Sequence, residues 1–220
     1  IFAMPNNGSR AARKSSAAVA ASRPVISSFS PTAEKGAGHH AGLRLTVKRA
    51  RIAMSERFLS HPSVRHVASC LEAAGHPHGV IALDDTARSA EEAALALGVE
   101  TGAIVKTLVF TAGDPETPVI ALVAGDRQCD VKALAARVGG TGKCKRPDAD
   151  RVKAASGYAI GGVSPVGLPA GLPVFIDASL FRFAVVWAAA GHPHCVFQAA
   201  PSDLETLASA AVTDGISIAG

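Results

Sequence analysis

The chain has 220 residues, of which 48% are hydrophobic and 18% charged, and a formal net charge of +4. Nine of its 22 Lys and Arg fall in residues 1–53 against one acid, Glu34, so that segment carries +8; the remaining thirteen bases and seventeen acids leave residues 54–220 at −4. The split excludes a uniformly basic nucleic-acid binder, although the pI of the whole chain is about 9.0.

Residues 1–53 are rich in Ser, Ala, Arg and Gly and poor in aromatics. A segment of that composition buries too little apolar surface to offset its ordering entropy. It is expected to be disordered. Three origins fit it: an Arg- and Ser-rich transit peptide, a flexible tail that meets nucleic acid, or non-native upstream sequence with Met54 as the true start. Residues 54–220 are expected to form one domain, long enough to bury a core without staples.

From there the elements run as follows. Ser63 is placed to cap a helix that ends at Ala74, with Gly75 as its stop. Gly79–Leu83 reads as a short strand. Ser89 with Glu92 three residues on forms a capping box for a helix ending before Gly98. Ile104–Thr111 is rich in β-branched residues and reads as a strand; Val119–Ala124 follows a Gly-Asp-Pro turn and completes a hairpin. Asp130 and Asp148 cap two further helices, ending at Gly139 and Gly157. Tyr158–Pro173, punctuated by Gly and Pro, is a loop. Val174–Ile176 and Cys195–Gln198 read as strands, and Pro201 opens the last helix. Helices and strands mix without strict alternation. The expected fold is therefore α/β of the α+β type: one domain with a mixed, barrel-like sheet surrounded by helices.

Cys70, Cys129, Cys144 and Cys195 are widely spaced, with no C-x-x-C, which suits free thiols of a reducing compartment. No apolar run reaches the roughly 18–20 residues of a membrane span.

Four features can carry chemistry. Lys106 shares a strand face with Ile104, Leu108 and Phe110. It lies on an exposed edge strand, or it lines a pocket where its charge meets an anionic or carbonyl group. Gly161-Gly162-Val163-Ser164-Pro165 is a turn, or a loop whose N–H groups bind an oxyanion. The hexapeptide AAGHPH occurs twice, ending at His78 and His194. Its histidines suit turn or pocket positions; a four-histidine metal site is conceivable but lacks carboxylates. Ser164, His192 and Asp177 could in principle form a triad, yet no nucleophile-elbow sequence surrounds the serine. Finally, Lys143, Lys145, Arg146, Arg151 and Lys153 make a basic run, either a solvated face or the place where phosphates are met.

In the order IVKTLVF, GDRQCDVKAL, GYAIGGVSPVG, LPVFIDASL and AAGHPH, the chain resembles the YbaK/ProX family of free-standing aminoacyl-tRNA deacylases. These are trans-editing relatives of the prolyl-tRNA synthetase insertion domain. The resemblance spans roughly residues 60–215. It implies hydrolysis of a small amino acid, of the Ala or Cys type, from a mischarged tRNA, tRNA(Pro) first among them. It also implies no cofactor, prolyl-tRNA synthetase as a possible partner, and the cytoplasm as the place of action (an organelle if residues 1–53 are a transit peptide). By resemblance, Lys106 is the functional lysine and Gly161–Pro165 the G-x-x-x-P loop.

The roles that follow are expectations. Lys106 with Gly161, Gly162 and Ser164 forms the catalytic group, the loop N–H donors stabilising the oxyanion. Thr107, Val163, Pro165, Asp177, Gly191, His192 and His194 contact substrate. Lys143, Lys145, Arg146 and Arg151 meet tRNA. The cysteine-directed branch differs around AAGHPHCVF, so alanine or another small residue is the expected cargo. A non-catalytic tRNA-binding module is the competing class.

Overall fold

The computed structural model describes residues 55–83, 87, 89–113, 116–138 and 144–220. The basic N-terminal segment, the Asp114-Pro115 turn, Gly139 and Lys143 lie outside the described residues.

Local chemistry sets most of the helices. α1 (Pro62–Ala73) differs from expectation at its start: its cap is His61, whose Nδ1 accepts from the Ser63 N–H, and Pro62 takes the first turn. α2 (Ala90–Leu97) is capped by Ser89, whose hydroxyl accepts from the Glu92 N–H, and stops at left-handed Gly98. Asp130 caps α3 (Val131–Arg137), and Asp148 caps α4 (Ala149–Ser156). α5 (Pro201–Ala208) begins at Pro201.

β1 (Ile81–Ala82) is shorter than the segment expected. β2 (Ile104–Ala112) and β3 (Thr117–Ala124) form the expected antiparallel hairpin. β5 (Val174–Asp177) and β7 (Cys195–Ala199) also fall where expected. β4 (Arg127–Cys129), β6 (Val186–Ala189), β8 (Ala211–Thr213) and β9 (Ser217–Ala219) carry no clear sequence signal. All but β6 are only three residues long, too short to show a period-two pattern.

The main sheet is mixed, in the order β1-β7-β6-β2-β3-β5-β8; β4 and β9 form a separate antiparallel pair. The sheet is open, with β1 and β8 as its two ends, and does not close into a barrel. β2 and β3 lie at its centre. That placement removes the edge-strand reading of Lys106.

Both faces of the central hairpin are covered. Val105 and Val109 pack with Ile120, Leu122 and residues from α1, α4 and α5. Leu108 and Phe110 face the other way, with Val119, Val123, Leu134 and Ile216. Residues 119–124 are fully buried, as a central strand covered on two sides requires. Among the described residues, no helix is long and apolar enough to cross a membrane.

Candidate active site

The site exists because β2 and β6 part company. They run parallel and pair only at Ile104↔Trp187 and Val105↔Ala188. β6 then ends at Ala189, and the chain turns through Gly191–His194 into β7. Further along β2, Thr111 exchanges main-chain hydrogen bonds with Lys145, both at 2.9 Å. Between those two closures lies a cavity of about 570 Å³. β2 forms one wall, α2 and the Gly161–Val163 loop others, and Arg146-Pro147 part of the rim.

Lys106 lines this cavity. On its strand face it sits in the seam between two apolar clusters, that of Ile104 with α2 and that of Phe110 with α3. Its Nζ donates to the carbonyls of Gly125, at 3.1 Å, and Arg127. Burial pulls its pKa below the usual 10.5; the Glu91 and Asp126 carboxylates pull the other way. Nζ is thus fixed by two neutral main-chain acceptors at the cavity wall.

The glycine loop approaches from the opposite side. Gly161 has φ +88°, a conformation that glycine adopts without the penalty of a Cβ. A Cβ on Gly162 would lie 2.8 Å from the backbone N of His192, so the paired glycines let this loop lie directly on the Gly191–His194 turn. The Gly162 N–H is already committed to the Ala159 carbonyl at 3.1 Å. Among the described residues, the N–H groups of Gly161 and Val163 have no partner, and both residues line the cavity. Ser164 does not line it. It is fully buried, and its hydroxyl accepts from the Val166 N–H, tying the loop to itself.

Tyr158, which sequence reasoning passed over, is the loop's anchor. Its buried hydroxyl donates to the Val166 carbonyl at 2.7 Å. A buried tyrosine just ahead of a Gly-rich run was the available signal, because a buried phenol needs a partner.

The remaining expected contacts divide. Thr107 lines the cavity, and its Oγ1 is buried without a partner among the described residues. Pro193 lines it, whereas Gly191, His192, His194 and Pro165 do not. His192 and His194 instead stack with Phe58, at ring-centroid separations of 5.0 and 4.1 Å. Burial, then the neighbouring His61 and His194, lower the His192 pKa. Asp177 is buried at the end of β5, where Oδ1 accepts from the Ser179 N–H and so caps the turn Ala178–Arg182; it does not reach the cavity. Ser164, His192 and Asp177 therefore make no triad. The two H-P-H copies also stay separate, His76 bonding the Gln198 carbonyl at 2.8 Å. Among the described residues, no three metal-ligating side chains converge.

The basic run divides as well. Lys145 and Arg151 both pair with Glu116, at 3.1 and 2.6 Å. Arg146 is exposed at the cavity rim with no paired acid among the described residues. Cys195 also lines the cavity, but burial pushes its thiol up to about 11, so it is no nucleophile near neutral pH.

Residues 84–207, which hold every described residue that lines this cavity, match the family model for the aminoacyl-tRNA editing domain. The chain belongs to that family. As an editing domain it is a hydrolase of aminoacyl-tRNA. The EbsC protein of Enterococcus faecalis, provisionally named a Cys-tRNA(Pro)/Cys-tRNA(Cys) deacylase, is 33% identical over 54% of this chain and 71% of its own length. YwhH of Bacillus subtilis is 30% identical over 57% of this chain and 78% of its own. A solved structure provisionally described as a trans-editing enzyme for prolyl tRNA synthetase is 39% identical, with TM-score 0.64, covering 70% of this chain and 96% of that one. The editing domain's mixed sheet agrees with that fold.

Proposed function

We propose that this editing domain removes a small amino acid, alanine or cysteine in type, from mischarged tRNA(Pro) in the cytoplasm, acting apart from the synthetase. The observation that carries the reading is Lys106, a carbonyl-anchored cation in the same cavity as the free N–H groups of Gly161 and Val163. The names of EbsC and of the trans-editing structure support the choice of tRNA(Pro).

In the reaction, water adds to the ester carbonyl carbon. Negative charge builds on the carbonyl oxygen, the bond to the ribose oxygen breaks, and that oxygen takes a proton. Gly161 and Val163 N–H groups stabilise the developing oxyanion, a role worth about 2.7–4 kcal/mol per donor. Lys106 holds the phosphate next to the terminal adenosine, or the carbonyl region itself. Among the described residues lining the cavity, Glu91 is the one carboxylate, and it is exposed at the rim. The water is therefore activated by the substrate's own ribose hydroxyl or amino group.

The deciding measurement is deacylation of Ala-, Cys-, Ser- and Thr-tRNA(Pro) beside correctly charged Pro-tRNA(Pro). Hydrolysis of Ala- or Cys-tRNA(Pro) ahead of the others supports the reading. Hydrolysis of none, with tRNA binding retained, would make the protein a binding module.

A further inference from the structure

The gap between β2 and β6 leaves a stretch of strand edge unpaired inside the cavity. Two observations fix which main-chain groups face it. Thr111 pairs with Pro118 across the hairpin, and proline has no N–H to donate, so Thr111 directs its own N–H and C=O to the other edge, where Lys145 takes both. Val109 pairs with Ile120, whose N–H goes to the Pro173 carbonyl on the far side. By the alternation of an antiparallel ladder, Thr107 and Val109 direct their N–H and C=O groups away from β3 into the gap. Both residues line the cavity, and neither main chain has a partner there among the described residues. Buried backbone groups are seldom left unpaired, so a ligand that completes this edge gains directly from it.

The missing partner is defined by the strand that leaves. β6 is parallel to β2, and in a parallel ladder one residue of the neighbouring strand donates to the carbonyl of residue i−1 and accepts from the N–H of residue i+1. Around Leu108 those groups are the Thr107 carbonyl and the Val109 N–H. The occupant must therefore offer one donor beside one acceptor in a plane. A phosphate only accepts and an ammonium only donates. Adenine carries N6–H beside N1 on its Watson–Crick edge. The neighbouring walls, Ile160, Val163, Pro193 and Val196, are apolar and suit the faces of a flat ring.

We infer that the open edge of β2 reads the terminal adenine of the tRNA, with the Thr107 carbonyl accepting from N6–H and the Val109 N–H donating to N1. This rests on the aminoacyl-tRNA reading above and adds to it a base-specific subsite made of main chain. It also explains how the reacting ester is held in register with Lys106, the immediate neighbour of Thr107.

The test uses the full chain and whichever of Ala-tRNA(Pro) and Cys-tRNA(Pro) it hydrolyses faster, with a last nucleoside of adenosine, 1-deazaadenosine, purine riboside or 7-deazaadenosine. Removing N1 or the N6 amino group is expected to lower kcat/KM roughly tenfold each, since a donor or acceptor is left unpaired in the cavity. The 7-deaza end, which keeps the Watson–Crick edge, is expected to react like adenosine. If the 1-deaza and purine ends stay within about twofold of adenosine, the subsite is wrong even though the deacylase reading stands. If adenosine-ended Ala-tRNA(Pro) and Cys-tRNA(Pro) both go unhydrolysed, it is the deacylase reading that fails.

Discussion

Lys106 Nζ lies 3.1 Å from the carbonyl oxygen of Gly125, the residue that follows the strand paired with β2. The cation is thus positioned by main chain, and among the described residues no acid pairs with it by direct contact. Replacing Lys106 with Ala should leave the fold intact and lower deacylation kcat/KM about 100-fold or more, the order seen when one charge-stabilising donor is removed. Lys106→Arg should recover only part of this, because a planar guanidinium does not fit a pair of carbonyls arranged for an ammonium. Single-turnover rates on mischarged tRNA measure both; an unchanged rate for the Ala variant would remove Lys106 from the mechanism.

Gly162 lies against the backbone of His192, with 2.8 Å available for a Cβ. Gly162→Ala must push the oxyanion loop away from the turn. The expected cost is about 1–3 kcal/mol of stability. The expected loss of kcat/KM is tenfold or greater, because the loop carries the Gly161 and Val163 donors. Urea unfolding and kinetics on the same preparation separate the two effects.

Tyr158→Phe removes a buried 2.7 Å hydrogen bond to the Val166 carbonyl. A loss of about 1–3 kcal/mol is expected in denaturant unfolding, since the carbonyl is left without its partner. Activity should fall less than for Gly162→Ala, because the backbone of the loop is unchanged.

Arg146 and Lys145 adjoin in sequence but not in role. Among the described residues Arg146 has no acid pair, whereas Lys145 shares Glu116 with Arg151. Arg146→Ala should raise KM for tRNA and reduce the salt slope of binding by about one. Lys145→Ala should change the slope less, as its charge is already offset. Binding measured across a salt series distinguishes them; equal slopes would count against a phosphate contact at Arg146.

His192 has a pKa below the ordinary 6.5, chiefly from burial. Its folded-state pKa is depressed, so the unfolded chain binds the proton more readily. Stability is therefore lost as pH falls from about 6.5 through the folded pKa and is flat above that window. Protonation also removes the Nδ1 acceptor of the His194 N–H, at 3.2 Å. His192→Asn keeps an acceptor without the titration. Thermal melts between about pH 7.5 and pH 5 should show a smaller acid-side loss for Asn.

What the residues determined unaided is the local structure. Ser89, Asp130 and Asp148 cap helices because a cap acts within three residues of itself, and β2 and β3 declare themselves because β-branched runs need only a short turn between them. The five segments from IVKTLVF to AAGHPH, taken in order, likewise point to the family that the 84–207 match shows. The cap of α1 lies two residues before the serine that the sequence suggests, because the His61 ring nitrogen takes the place of a serine hydroxyl. The cavity itself could not be read along the chain. It is formed where β6, distant in sequence, pairs with β2 for two residues and then departs, and no local pattern encodes the length of a non-local pairing. His192, Asp177 and Ser164 fall outside the cavity, while Thr107 and Val109 line it. Side-chain identity names the groups able to do chemistry; only the tertiary packing decided which of them, main chain included, face the substrate.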